Sequence, residues 1–268
     1  MSKKNEQFYR NAIEATRPDV YIIKTPKITG MNLNTFVVET NEGLLIYKAN
    51  KIEIIQKNLR VNYLMDCLNI PVAKTRTVRA KGQSFEVYPY STDKTLFEHI
   101  QNGMPETMIK NAFKDMASYL AFMSELNKSD MGDLPYKSCA QIINSDISAR
   151  KNPMVGAMCY GAVSLLNIGN QRIMHFGMTP KNVLVNDKGQ ITRVLDIDSV
   201  GICNETFALS GLISEYQNLG FDPSEILASY EEIAKRPISK RKVIRQTKLN
   251  QYGKGLYQLI ADKKQAFK

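Results

Sequence analysis

The chain has 268 residues, 43% of them hydrophobic, with 36 Lys and Arg against 26 Asp and Glu and a formal net charge of +10. That is enough apolar material for one large core or two small lobes, and no apolar run approaches the roughly 20 residues of a membrane-spanning helix. The opening Met1-Ser2-Lys3-Lys4-Asn5-Glu6 lacks the apolar segment of a usual secretory signal, and Cys67, Cys139, Cys159 and Cys203 are too scattered, with only His99 and His175 beside them, to read as a zinc site.

In chain order, Lys3 to Thr16 carries Phe8, Ala12, Ile13 and Ala15 on a loose helical face and is ended by Arg17-Pro18. Strands are expected at Val20 to Lys24, Thr35 to Thr40 and Leu44 to Lys48, the last two joined at Asn41-Glu42-Gly43. Between the first two lies Thr29-Gly30-Met31-Asn32-Leu33-Asn34-Thr35, either an ordinary turn or a loop whose backbone amides can approach phosphate. Lys51 to Leu68 repeats Ile52, Ile55, Leu59, Tyr63 and Cys67 at helical spacing. A strand is expected from Pro71-Val72 through Val78, a turn at Lys81-Gly82, and a fifth strand from Ser84 to Tyr90.

After Asp93 the pattern becomes helical: Thr95 to Gln101, then Pro105 to Leu126 with Ile109, Phe113, Met116, Leu120 and Met123 on one face, then Ala140 to Arg150 and Pro153 to Leu166. The methionines among them are core fillers. A polar loop His175-Phe176-Gly177-Met178-Thr179-Pro180-Lys181-Asn182 follows, then a short apolar strand Val183 to Val185, a turn at Asn186-Asp187-Lys188-Gly189, and a second strand Ile191 to Leu195 that delivers Asp196. Such a hairpin brings the Asn at its start and the Asp at its end to one rim, where an amide oxygen and a carboxylate suit Mg2+ that also keeps phosphate and water oxygens. Asp198, two residues on, would point the same way if the segment were extended. Helices at Glu205 to Asn218 and Pro223 to Ala234 complete the order. Strands, then helices, then a hairpin, then helices describe an α+β chain of two lobes.

The charge is concentrated at the end. Eleven Lys and Arg and one acid, Asp262, fall from Lys235 onward, whereas the first 234 residues hold 25 of each sign. Such a run is a solvated helix face or a surface for an acidic partner in residues 235–268, nucleic acid or membrane. Val243, Leu249, Leu256, Leu259 and Ile260 could dock the segment by one side.

From about residue 20 to 235 this layout resembles the protein-kinase-like superfamily, in the branch of aminoglycoside phosphotransferases and choline kinases, with a degenerate catalytic loop. The resemblance implies a two-lobed fold: a five-stranded antiparallel N-terminal lobe over 1–91, a mainly helical C-terminal lobe over 92–238, and a basic segment over 239–268. It implies ATP and Mg2+ as cofactors, with Gly30, Asn32 and Asn34 in the phosphate-covering loop, Lys48 on the phosphates, and Tyr88 and Tyr90 flanking Pro89 at the adenine edge. Asn182 and Asp196 would hold the metal. In such enzymes an Asp five residues before the Asn accepts the substrate proton. Here that position is Gly177, leaving His175, Asp196 and Asp198 as the catalytic candidates. A second acid is also displaced: the partner of Lys48 would fall near Lys57, and this helix offers only Glu53 and Asp66. The implied function is atypical phosphoryl or nucleotidyl transfer to an unknown small-molecule or protein acceptor. Two alternatives stand beside it: a pseudokinase scaffold, such as a bacterial effector or phage protein, and a basic nucleic-acid binder. The expected location is the cytoplasm, or outside the cell by an unusual export route.

Overall fold

The computed structural model describes residues 22–28, 35–80, 82–132 and 171–248. The expected first helix, the loop with Gly30, Asn32 and Asn34, the helices at 140–150 and 153–166, and the tail beyond 248 lie outside them. The chain divides into two compact units, the first ending at Asp93 and the second beginning at Lys94.

The first unit is one antiparallel sheet of five strands: β1 (Ile22–Ile28), β2 (Thr35–Thr40), β3 (Gly43–Asn50), β4 (Arg76–Ala80) and β5 (Gln83–Pro89), in the order β1-β2-β3-β5-β4. Residues 71–75, expected to open β4, are not strand. Strict alternation on β2 and β3 sends Phe36, Val38, Leu45, Tyr47 and Ala49 to one face, where Val78, Phe85 and Val87 join them. Phe36 stacks on Tyr47 with centroids 5.6 Å apart, and Phe85 meets both edge-on.

Helix α1 (Ile52–Cys67) stops at Asn69, whose φ of 56° turns the chain while the Ile70 amide bonds back to the Met65 carbonyl. Its buried face is not the expected one. Tyr63 is 59% exposed and Cys67 lies in water, whereas Lys57 and Asn58 are buried with Ile55, Val61, Leu64 and Met65. Apolar periodicity cannot see a helix face that buries polar residues.

The second unit opens with β6 (Lys94–Thr95) and α2 (Leu96–Gln101), whose start is a capping box: Thr95 Oγ1 accepts from the Glu98 amide, and the Glu98 carboxylate accepts from the Thr95 amide. Hydrogen bonding to Thr95 holds the Glu98 carboxyl below its ordinary pKa. Next come α3 (Glu106–Ser124), β7 (Gln171–His175), β8 (Val183–Val185), β9 (Ile191–Val194), β10 (Val200–Asn204), α4 (Glu205–Asn218) and α5 (Ser224–Ala234). The predicted apolar face of α3 is buried in full, and α3 packs on α4 and α5. Phe113 of α3 meets Tyr216 of α4 at 5.0 Å, and Tyr216 meets Phe221 at 4.9 Å. A last helix begins at 240 and is described to 248; Val243, Gln246 and Thr247 are buried, and Thr247 Oγ1 bonds to the Val243 and Ser210 carbonyls.

A charged cluster ties these elements together. Glu205, the first residue of α4, is 7% exposed and accepts from Tyr230 of α5 at 2.9 Å. Its carboxylate also faces Arg236 at 3.2 Å and Arg172 of β7 at 3.5 Å. Arg236 donates on to Ser124 at the end of α3 and pairs with Glu125. Burial, outweighing the help of Ser124, pushes the Tyr230 hydroxyl pKa up, so it stays a neutral donor. Removing one partner from a buried charge cluster costs about 3–5 kcal/mol, because the remaining charges lose their compensation. Glu205→Ala should therefore lower the urea unfolding free energy by that amount. A loss below about 1 kcal/mol would show that Glu205 is not the junction of these elements.

Candidate functional site

The candidate site is built on two small sheets of the second unit. β7 pairs antiparallel with β10, His175 lying opposite Val200, and β8 pairs with β9, Val183 opposite Val194. The β8–β9 turn is closed as its composition suggests: Asn186 Oδ1 accepts from the Lys188 and Gln190 amides, and Gly189 has φ +77°. A Cβ on Gly189 would also stand 3.0 Å from Met104 and Met108, so the position is restricted twice.

His175 is fully buried, and both ring nitrogens are engaged. Nδ1 accepts from the Gly177 amide at 3.1 Å, so Nε2 carries the proton and donates to the Leu195 carbonyl at 2.9 Å. A ring so bonded has no lone pair with which to accept a substrate proton, and the geometry makes His175 a brace rather than a base. The ring couples the loop after β7 to the end of β9. Two backbone bonds complete the closure, Leu195 amide to Asn182 carbonyl at 2.8 Å and Phe176 amide to Ser199 carbonyl at 3.0 Å.

Around this brace Asn182 and Asp196 come together. Asn182 ends a 3-10 turn, Pro180–Asn182, and its Nδ2 donates to the Gly177 carbonyl at 2.8 Å. A carbonyl can only accept, so the amide orientation is fixed and Oδ1 is left as an acceptor. Asp196 is exposed, stands in the left-handed region (φ 57°, ψ 47°), and accepts from Ser199 Oγ through Oδ2. Left-handed backbone is uncommon for a residue other than glycine, though Asp tolerates it, and such conformations gather at functional sites. Gly177 lies between the two: a Cβ there would be 3.0 Å from Asn182 Nδ2, 3.4 Å from Asp196 Oδ2 and 3.4 Å from His175 Cε1.

Asp198 does not follow the extended-chain expectation. Residues Ile197–Ser199 form a 3-10 turn, and the period-2 argument that aimed Asp198 alongside Asp196 does not hold on three residues per turn. Among the described residues no three of His, Cys, Asp and Glu cluster to hold a metal. A cation here would rest on Asn182 Oδ1 and an Asp196 oxygen, with phosphate and water supplying the rest. That sparse, hard-oxygen set fits Mg2+, which seldom takes an all-protein cage.

On the first unit, Lys48 sits on β3, half-buried. At the end of β5 the Tyr90 amide bonds to the Leu44 carbonyl at 2.9 Å, and by the alternation of an antiparallel ladder the Tyr88 amide also faces β3. Pro89 has no N–H. Tyr88 and Tyr90 therefore have no amide to donate to a purine edge, and this stretch can offer only carbonyls.

No family model matches the sequence, and no curated protein matches it significantly. Solved structures do match. The chain is similar to APH(2")-IIIa in complex with GDP and kanamycin (TM-score 0.69, 13% identity, 97% of this chain and 93% of that one). It is also similar to a type I macrolide 2'-phosphotransferase (0.65, 14%, 98% and 93%). A third match is LicA in complex with AMP (0.64, 15%, 98% and 92%).

The fold is that of the aminoglycoside phosphotransferases.

Within this phosphotransferase fold Gly177 stands in a sterically tight place. A Cβ 3.0 Å from Asn182 Nδ2 forces the amide to give by a few tenths of an ångström. Gly177→Ala should therefore cost about 1–3 kcal/mol of stability, as overpacking does elsewhere, read by urea denaturation. An unchanged or higher unfolding free energy would show that the loop accepts a side chain freely.

Proposed function

We propose that the protein binds a purine nucleoside triphosphate with Mg2+ and transfers a phosphoryl group to an acceptor without a loop carboxylate as general base. The observation that carries this is the convergence of Asn182 and Asp196 on one point beside Gly177, each with a side-chain oxygen left to offer. Similarity of fold to phosphotransferases solved with GDP and AMP supports the nucleotide. ATP and GTP are both candidates.

In this reading Lys48 binds the phosphates, Asn182 and Asp196 hold Mg2+, and His175 keeps the loop in register so that both oxygens face the same point. Bound there, Mg2+ would neutralise charge on the phosphates. Phosphoryl transfer depends chiefly on such positioning and neutralisation. Lack of a general base forfeits about two to four orders of magnitude in rate for a neutral hydroxyl. The residues thus favour an acceptor that is already ionised, or one that carries its own base.

Ligand binding to the native state raises stability by about 2.7 kcal/mol at a hundredfold excess over Kd, a few degrees in midpoint for a protein of this size. ATP or GTP with Mg2+ should raise the thermal midpoint of the wild type by about that much, and the rise should disappear in Asp196→Ala. A wild type that neither nucleotide stabilises would leave the chain a scaffold. A rise that survives Asp196→Ala would remove Asp196 from the site.

A further inference from the structure

The helix α1 has no acid where the phosphate-binding lysine needs one, but the strand next to that lysine does. On β5 the residue directly opposite Lys48 is Glu86. Opposite residues of an antiparallel pair project from the same face, with Cβ atoms about 4.5–5.5 Å apart. Their neighbours identify that face: Tyr47, Ala49, Phe85 and Val87 fill the aromatic core, so Lys48 and Glu86 both emerge on the other side. Thr35 of β2 and Thr77 of β4 fall in the same cross-strand row, making a polar line across four strands.

Glu86 is 5% exposed, rare for a carboxylate unless it is compensated. It is gripped from the helix: Asn58 of α1 donates Nδ2 to Glu86 Oε1 at 2.5 Å. Asn58 is itself 1% exposed, and adjacent to it Lys57 is buried. At the place where the helix would be expected to bring a carboxylate to Lys48, it brings an amide donor to a carboxylate carried by the sheet. A buried carboxylate needs compensating positive charge nearby, and β3, β5 and α1 carry Lys48 directly across the ladder from Glu86, with Lys57 and Arg60 on the helix.

We propose that Glu86 is the positioning residue for Lys48, aligning its ammonium for the nucleotide phosphates, and that Asn58 holds Glu86 in place. This rests on the nucleotide-binding reading above. Because both members of the pair lie on adjacent strands of one sheet, their geometry is set by strand register and not by where a helix docks. The lysine is then aligned whether or not a nucleotide or acceptor is present.

The test is calorimetric binding of ATP and GTP with Mg2+, and of adenosine and guanosine, to the full chain and to Glu86→Gln, Glu86→Asp, Lys48→Ala and the double variant Glu86→Gln/Lys48→Ala. Glu86→Gln should weaken the triphosphate by about tenfold or more, the worth of a hydrogen bond to a charged group, and leave the nucleoside unchanged. It should add little to Lys48→Ala, and Glu86→Asp should recover part of the loss. Equal weakening of nucleoside and triphosphate, or full additivity with Lys48→Ala, would assign Glu86 to sheet structure alone and overturn the proposal with nucleotide binding intact. A wild type that binds no nucleotide overturns both. Should Glu86→Gln fail to fold, Asn58→Ala keeps both charges, releases the carboxylate, and must show the same selective loss of triphosphate.

Discussion

One buried imidazole holds the candidate site in shape. With Nδ1 accepting from the Gly177 amide and Nε2 donating to the Leu195 carbonyl, His175 closes the polar loop onto the end of the hairpin that follows it. Neither strand of that hairpin is long, three residues in β8 and four in β9, and their ladder alone would specify the rim poorly. The imidazole supplies the missing constraint at the point where Asn182 and Asp196 must converge. Its value depends on being uncharged and saturated, the opposite of what a catalytic base requires. The residue type is shared by both roles, and only the bonding pattern separates them.

The hairpin was readable from sequence because its signals are local. Val183-Leu184-Val185, Asn186 to Gly189 and Ile191 onward carry the apolar runs and turn chemistry within about a dozen residues. Strands β7 and β10 were not readable. Gln171–His175 pairs with Val200–Asn204, and each run takes its strand character from a partner nearly thirty residues away. Helices α3 and α5 bury their apolar faces, whereas α1 buries Lys57 and Asn58 and so rotates away from the face its apolar residues suggest. Glu205 shows the same limit. As the first residue of a helix it reads as an ordinary dipole-complementing acid, and only the fold reveals two arginines and a tyrosine around it.

A glycine at position 177 beside Asn182 and Asp196 bears on two physically separable tasks of phosphoryl transfer, holding a metal and accepting a proton. Oxygens that hold a metal act on charge already present in a phosphate, whereas a base acts on a proton that an acceptor brings. A site can keep the first task and shed the second if the acceptor changes. A Cβ at 177 would crowd the amide of Asn182, whose Nδ2 is bonded to the Gly177 carbonyl. A side chain placed at 177 would therefore disturb that amide.

The basic end of the chain follows from the same kind of geometry. Within 240–248, Val243, Gln246 and Thr247 turn inward, and Thr247 bonds to the Ser210 carbonyl of α4. Lys240, Arg241, Lys242, Arg245 and Lys248 are exposed, with Arg241, Arg245 and Lys248 spaced along one helical stripe. Docking by an apolar and hydroxyl face accounts for the helix without any partner, since five cations cost little in water and lose much if buried unpaired. Attraction of this stripe for a polyanion would be a long-range effect, strong at low salt and screened within about 8–10 Å at physiological ionic strength. The metal binding proposed at Asn182 and Asp196 would draw on short, hard-oxygen contacts and be far less sensitive to that screening. Salt dependence therefore separates the two halves of the chain's chemistry: what the tail does should fade with ionic strength, and what the hairpin rim does should persist.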